Sequence, residues 1–174
     1  MGYAGGESRN PTYRDLGGHT ETLEVDFDPA KLSFSEVLEL FWKGHNPLAA
    51  RRSRQYMTAL FWRSAEQREC GEAGVARISE SNGPEVTTKI QALDGFHLAE
   101  AYHQKYMLRR HHEFEAPLLE MYPDVVEFTN STAAARLNGY LAGHGTREAM
   151  AHDLPLLGLS SEAQERLNAA RRLR

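Results

Sequence analysis

An acid and two phenols give this sequence its first chemical reading. Glu21 closes the run Gly18-His19-Thr20-Glu21, Tyr13 stands in Asn10-Pro11-Thr12-Tyr13-Arg14, and Tyr56 follows Arg54-Gln55. A carboxyl group that leaves water favours its protonated form and can hand that proton to a substrate. Phenol hydroxyls donate hydrogen bonds to an oxygen that carries or develops negative charge. Together the three residues would form a site for a polar oxygen. They also admit a structural reading, with Tyr13 and Tyr56 as core aromatics whose hydroxyls are satisfied and Glu21 as a solvated residue at a strand edge. A further polar group, Tyr102-His103-Gln104, follows a Gly95-Phe96 turn.

The other reactive residue types build no second site. Cys70 is the single cysteine and falls inside a helical stretch, where a thiol packs as a small apolar group. The eight histidines include no Cys/His set at zinc spacing, so no metal is expected. Phe41-Trp42 and Phe61-Trp62 read as core. Arg51, Arg52 and Arg54, and Arg109-Arg110 with its neighbouring histidines, read as solvated surface. The glycine-rich opening does not lead into a helix, so it is not a phosphate cradle. A net charge of −4 argues against nucleic-acid and membrane-surface partners, and no apolar run is long enough to span a bilayer. One cysteine forms no intrachain disulfide and suits a reducing, cytoplasmic compartment.

Elements must carry these residues. The glycine-rich residues 1–20 read as turns and loops. Residues 22–27 alternate Leu23, Val25 and Phe27 with Glu24 and Asp26, which predicts a strand with one wet face. Ser33-Phe34-Ser35-Glu36 and Ser64-Ala65-Glu66-Gln67 are capping boxes. The first opens a helix ended by Gly44 and Pro47, and the second a helix to about Glu80, broken near Asn82-Gly83-Pro84. Inside it Gly71 and Gly74 each cost about 1 kcal/mol against alanine, so packing must hold that helix. Residues 56–62 and 86–90 read as strands, and 99–108, 113–122 and 131–141 as helices. Residues 143–159 read as loop before a last helix capped by Ser160 or Ser161, with the cations of Arg171–Arg174 at its C-terminal end. Strands and helices alternate early and helices dominate late, as in a mixed α/β (α+β) fold with a helical extension.

Several blocks in order resemble one family. "GYAGG", "NPTYRDL", "GHTE", "RQY" and "FHLAEAYHQKY" are similar to segments of the A-type peptide methionine sulfoxide reductases, over roughly residues 2–108. The resemblance implies reduction of methionine-S-sulfoxide in oxidised proteins or peptides. In it Glu21 protonates the sulfoxide oxygen, Tyr13 and Tyr56 hydrogen-bond to it, and Gly2, Tyr3, His19, Tyr102 and His103 contribute to substrate binding. No bound cofactor is implied, only an external reductant, thioredoxin or another thiol donor. The implied fold is a ferredoxin-like two-layer domain over residues 1–110, followed by a helical extension over 111–174.

The departures matter equally. The family's nucleophilic cysteine lies in a "GCFWG" segment ahead of the "GYAGG" block, so the chain is expected to be truncated, missing the family's first strand and helix. Such a truncation would expose apolar surface and reduce solubility. Arg51 stands where most members carry Asp, and the loop between Tyr13 and Gly18 is short. The alternative reading is a non-catalytic paralogue or truncated isoform that binds methionine-sulfoxide peptides or a protein partner.

Overall fold

A computed structural model describes residues 1–50, 53–83 and 85–169. The expectations attached to Arg51, Arg52, Pro84 and Arg171–Arg174 lie outside them. The chain divides into two compact units, Met1–Glu100 and Ala101–Arg174.

The first unit is mixed α/β. Its strands are β1 (Gly2–Ala4), β2 (Thr20–Thr22), β3 (Ala59–Trp62), β4 (Lys89–Ala92) and β5 (Phe96–Leu98), and its helices are α1 (Phe34–Lys43) and α2 (Ala65–Asn82). An antiparallel sheet of order β2-β1-β5 puts the opening strand in the centre, and β3 and β4 form a separate parallel pair. A parallel pair needs a crossover connection, which α2 supplies. Ser33 caps α1 in a complete box: Glu36 N–H donates to Ser33 Oγ, and Ser33 N–H donates to the Glu36 carboxylate at 2.8 Å. At α2 only half the expected box forms. Gln67 N–H donates to Ser64 Oγ, while the Gln67 side-chain oxygen accepts from Arg63 N–H at 2.8 Å. The two glycines of α2 have a steric reason. A Cβ on Gly71 would lie 2.7 Å from Leu60, and one on Gly74 would lie 2.4 Å from the buried Trp42 of α1.

Several local expectations change. The strand expected over 22–27 is Thr20–Thr22, because pairing with β1 stops there; Leu23 and Val25 are exposed. Gly2–Ala4 is a strand rather than a loop. Tyr56 does not begin a strand. It sits in a turn before β3 in which Tyr56 N–H donates to Ser53 O and Met57 N–H to Arg54 O. The next strand starts at Lys89 instead of Val86, since Thr87 directs its N–H to the Pro47 carbonyl at 2.8 Å.

The second unit is helical, with α3 (His112–Met121), α4 (Val125–Asn130), α5 (Thr132–Leu141), α6 (Arg147–Asp153) and α7 (Ser161–Ala169). The helix expected over 99–108 is replaced by 3-10 turns at Ala101–His103 and Leu108–Arg110, with Lys105 between them at φ 51°. Two short helices stand where none was expected, α4 and α6. Each has a side-chain cap: Asp124 accepts from Val126 and Glu127 N–H, and Thr146 from Ala149 N–H. Leu108, Phe114, Leu118, Phe128, Leu137 and Leu157 are among the buried residues that form the core.

Candidate active site

The site grows from the central strand. Tyr3 faces Glu21 across β1–β2 and His97 across β1–β5, and opposed residues of an antiparallel pair project to the same face. Tyr3 is only 2% exposed, and its hydroxyl donates to Glu100 Oε2 at 2.7 Å. The other oxygen of the same carboxylate accepts from Tyr13 N–H at 3.1 Å. Glu100 therefore ties the loop carrying Tyr13 to the strand that registers Glu21.

His19 is 3% exposed and holds the turns on either side. Gly6 N–H donates to its Nδ1 at 3.1 Å, and its Nε2 lies 2.9 Å from the Ser8 carbonyl. A backbone N–H only donates and a carbonyl only accepts, so Nδ1 is the acceptor and Nε2 carries the proton. Both ring nitrogens thus serve the loop. Arg54 adds a second brace, donating from Nε to Gly18 O at 2.5 Å and from Nη2 to Gly5 O at 2.6 Å. Gly5 and Gly18 both have positive φ, which a Cβ would resist.

The turn preceding β3 is sewn directly to β2. Thr20 Oγ1 donates to Arg54 O at 2.9 Å, and Glu21 N–H donates to Gln55 O at 3.0 Å. The Gln55 amide then reaches both functional groups, donating to Glu21 Oε1 at 2.7 Å and to the Tyr56 hydroxyl at 3.1 Å. Hydrogen bonding by the nearby Tyr13 side chain is the largest cause holding the Tyr56 phenol above its ordinary pKa; loss of water and the charges of Tyr13 and Glu21 add to it, and the Gln55 bond opposes them. Glu21, Gln55, Tyr56 and Tyr13 so form one continuous polar cluster.

Exposure decides between the two readings of these side chains. Tyr13 is 42% and Tyr56 52% exposed, so neither is a core aromatic. Glu21 is half-buried and engaged by Gln55, not a freely solvated edge residue. The cluster opens to solvent on its phenol side, and its carboxylate is half-buried.

The whole of this cluster falls within residues 1–135, which match the family model described as peptide methionine sulfoxide reductase. The chain belongs to the peptide methionine sulfoxide reductase family. It is 41% identical over 162 residues to the peptide methionine sulfoxide reductase of Drosophila melanogaster, an overlap covering 92% of this chain and 65% of that protein. It is 36% identical over 122 residues to peptide methionine sulfoxide reductase MsrA of Vibrio cholerae, covering 63% of this chain and 58% of the relative. The chain therefore spans less than two thirds of either relative. The crystal structure of Mxr1 from Saccharomyces cerevisiae in reduced form has the same fold, with a TM-score of 0.55 at 23% identity, covering 71% of this chain and 70% of that one.

Other members of the expected site are placed differently. Gly2 is a packing glycine, where a Cβ would lie 2.3 Å from the Phe96 ring and 2.4 Å from the His97 carbonyl. Tyr102 and His103 belong to the second unit, with ring centroids 4.2 Å apart and Tyr102 exposed. Cys70 sits in the second turn of α2 and is half-buried. Among the described residues no group of three or more His, Cys, Asp or Glu side chains could hold a metal ion, and no helix is long and apolar enough to cross a membrane. Sequence reasoning passed over Gln55, Arg54 and Glu100 as site residues. Gln55 adjoins Tyr56 and could have been suspected; Glu100 lies 97 residues from Tyr3, and no local pattern joins them.

Proposed function

We propose that the protein is a peptide-methionine (S)-S-oxide reductase in which Glu21, Tyr13 and Tyr56 act on the sulfoxide oxygen. The observation that supports this is the contiguous cluster of Glu21, Gln55, Tyr56 and Tyr13, open to solvent through its two phenols. A sulfoxide oxygen accepts strong hydrogen bonds. Phenol donors draw electron density from sulfur, and a proton from Glu21 completes the polarisation. A cysteine thiolate, which none of the four cluster residues supplies, then attacks sulfur. The bond between methionine sulfur and oxygen breaks, methionine sulfur gains two electrons, and the oxygen leaves on the cysteine as sulfenic acid. Two further thiols, from thioredoxin or another dithiol, reduce the sulfenic acid to thiol and release water and a disulfide. A reducing cytoplasm suits this cycle.

The test is stereospecific turnover of a peptide carrying the S or the R epimer of methionine sulfoxide, with dithiothreitol as electron donor. The expected result is reduction of the S epimer alone, with kcat/KM falling by about 10²–10⁴-fold in Glu21→Gln, the usual worth of a positioned acid. Equal use of both epimers, or an unchanged rate in E21Q, would contradict the assignment.

Cys70 favours a second reading, in which this chain binds the sulfoxide without turning it over. It is the one thiol of the 174 residues and stands inside α2 rather than at its first turn. On that reading the S epimer binds the chain and its concentration does not fall when dithiothreitol is added. Turnover that disappears in Cys70→Ala would instead make Cys70 the nucleophile.

A further inference from the structure

We propose that Gln55 is a positioning residue whose side-chain amide keeps Glu21 and Tyr56 apart and turns the Tyr56 hydroxyl hydrogen away from the carboxylate, toward the open side of the cluster. The inference rests on the functional reading above.

The argument is one of hydrogen-bond polarity. A Gln side chain has two N–H donors on one nitrogen, and here one goes to Glu21 Oε1 at 2.7 Å and the other to the Tyr56 oxygen at 3.1 Å. An amide nitrogen only donates, so Gln55 is the donor in both bonds. A phenol oxygen that receives an N–H must direct its own hydrogen elsewhere. Tyr56 then has Tyr13 and the solvent-exposed face as the places for that hydrogen, which is where a sulfoxide oxygen would arrive. Without the amide, the phenol would meet its natural acceptor, the Glu21 carboxylate, and acid and donor would satisfy each other.

The amide is itself fixed in place. The Gln55 carbonyl accepts from Glu21 N–H at 3.0 Å, and the preceding carbonyl accepts from Thr20 Oγ1 at 2.9 Å. Backbone and side chain of Glu21 are thus both bonded to Gln55, so the spacing of acid and amide is set by the pairing of this turn with β2. The raised Tyr56 pKa fits the arrangement, since the Gln55 bond works against the other causes.

Two variants separate donation from packing. Gln55→Met keeps the length and volume of the side chain and removes both donors; Gln55→Glu replaces them with acceptors. The measurements are the affinity for the S and R epimers of a methionine-sulfoxide peptide, and the titration of tyrosines labelled with ¹³C at Cζ, with the Tyr56 signal assigned by Tyr56→Phe. The expected result is roughly tenfold weaker S-epimer binding in Q55M, the scale of one lost hydrogen bond, and a larger loss in Q55E. In both variants the Tyr56 signal titrates at higher pH than in the native chain. Native affinity in the variants with an unmoved Tyr56 signal would overturn the proposal and leave the functional reading standing. If the native chain shows no preference for the S epimer, the functional reading falls, and this proposal with it.

Discussion

At the scale of single residues the site depends on a carboxylate that sequence reasoning did not single out. Glu100 accepts from the buried Tyr3 hydroxyl and from Tyr13 N–H. Removing it leaves the Tyr3 hydroxyl buried without that acceptor, which costs about 1–3 kcal/mol. Glu100→Ala is therefore expected to lower stability by that amount in urea denaturation and to weaken S-epimer binding as the Tyr13 loop loses its tie. Tyr3→Phe removes only the phenol's end of the link, so it should cost less in binding than in stability. If Glu100→Ala weakens folding and leaves epimer affinity unchanged, Glu100 supports the fold alone. The acid and the two phenols were legible because each sits in a short block of characteristic types. Glu100 was not, because its contacts come from pairings of distant segments that only the folded backbone brings together, and Gln55 was marked only by its place beside Tyr56.

At the scale of elements the sequence was legible where local chemistry settles the outcome and misleading where pairing does. The Ser33 and Ser64 caps and the stop at Gly44 follow from local hydrogen bonds, and the structure has them. The alternation from Leu23 to Phe27 has the right period for a strand, but β1 is three residues long, so its neighbour pairs only over Thr20–Thr22. Glycines gave the opposite lesson. Gly74 lowers helix propensity, yet Gly74→Ala should destabilise the protein despite the gain of about 1 kcal/mol in propensity. Its Cβ would approach Trp42 to 2.4 Å, and such overpacking costs typically 1–3 kcal/mol. A higher thermal midpoint in Gly74→Ala would contradict the close crossing of α1 and α2. Lys105 makes a complementary case. It is a non-glycine residue at φ 51°, a region that costs an L-residue roughly 1–2 kcal/mol. Lys105→Gly relieves that cost but adds unfolded-state entropy, so its stability should stay within about 1 kcal/mol of native in the same denaturation experiment.

At the scale of the whole chain two units carry separate stability arguments. In the second, Asp153 accepts from Tyr140 Oη at 2.5 Å and from Arg136 and His152. Burial pushes the Asp153 carboxyl up, but the Tyr140 and His152 bonds and the Arg136 charge outweigh it and leave its pKa below the ordinary 3.8. Burial first, then the bond to Asp153, pushes the Tyr140 phenol from 10.0 up to about 12. A lowered acid contributes stability above its unfolded pKa that is lost as pH falls through the folded one. A raised phenol contributes stability below its unfolded pKa that is lost as pH rises toward the folded one. The second unit should therefore weaken below about pH 3.8 and again between pH 10.0 and about 12. Tyr140→Phe should remove the alkaline part, read as protection of the α5 and α6 amides from hydrogen exchange; an unchanged alkaline limb in that variant would contradict the assignment. The helices of this unit were legible where they are ten residues long, as in α3 and α5, and illegible at six or seven residues, where caps rather than periodicity mark α4 and α6. The account as a whole rests on Glu21, Tyr13 and Tyr56 forming one receptor for a sulfoxide oxygen. Titration calorimetry of the two epimers against the native chain and the Tyr13→Phe, Tyr56→Phe double variant tests this most directly. The account predicts at least about tenfold preference for the S epimer in the native chain, abolished in the folded double variant; equal affinity for both epimers, or S-epimer binding that survives loss of both hydroxyls, would contradict it.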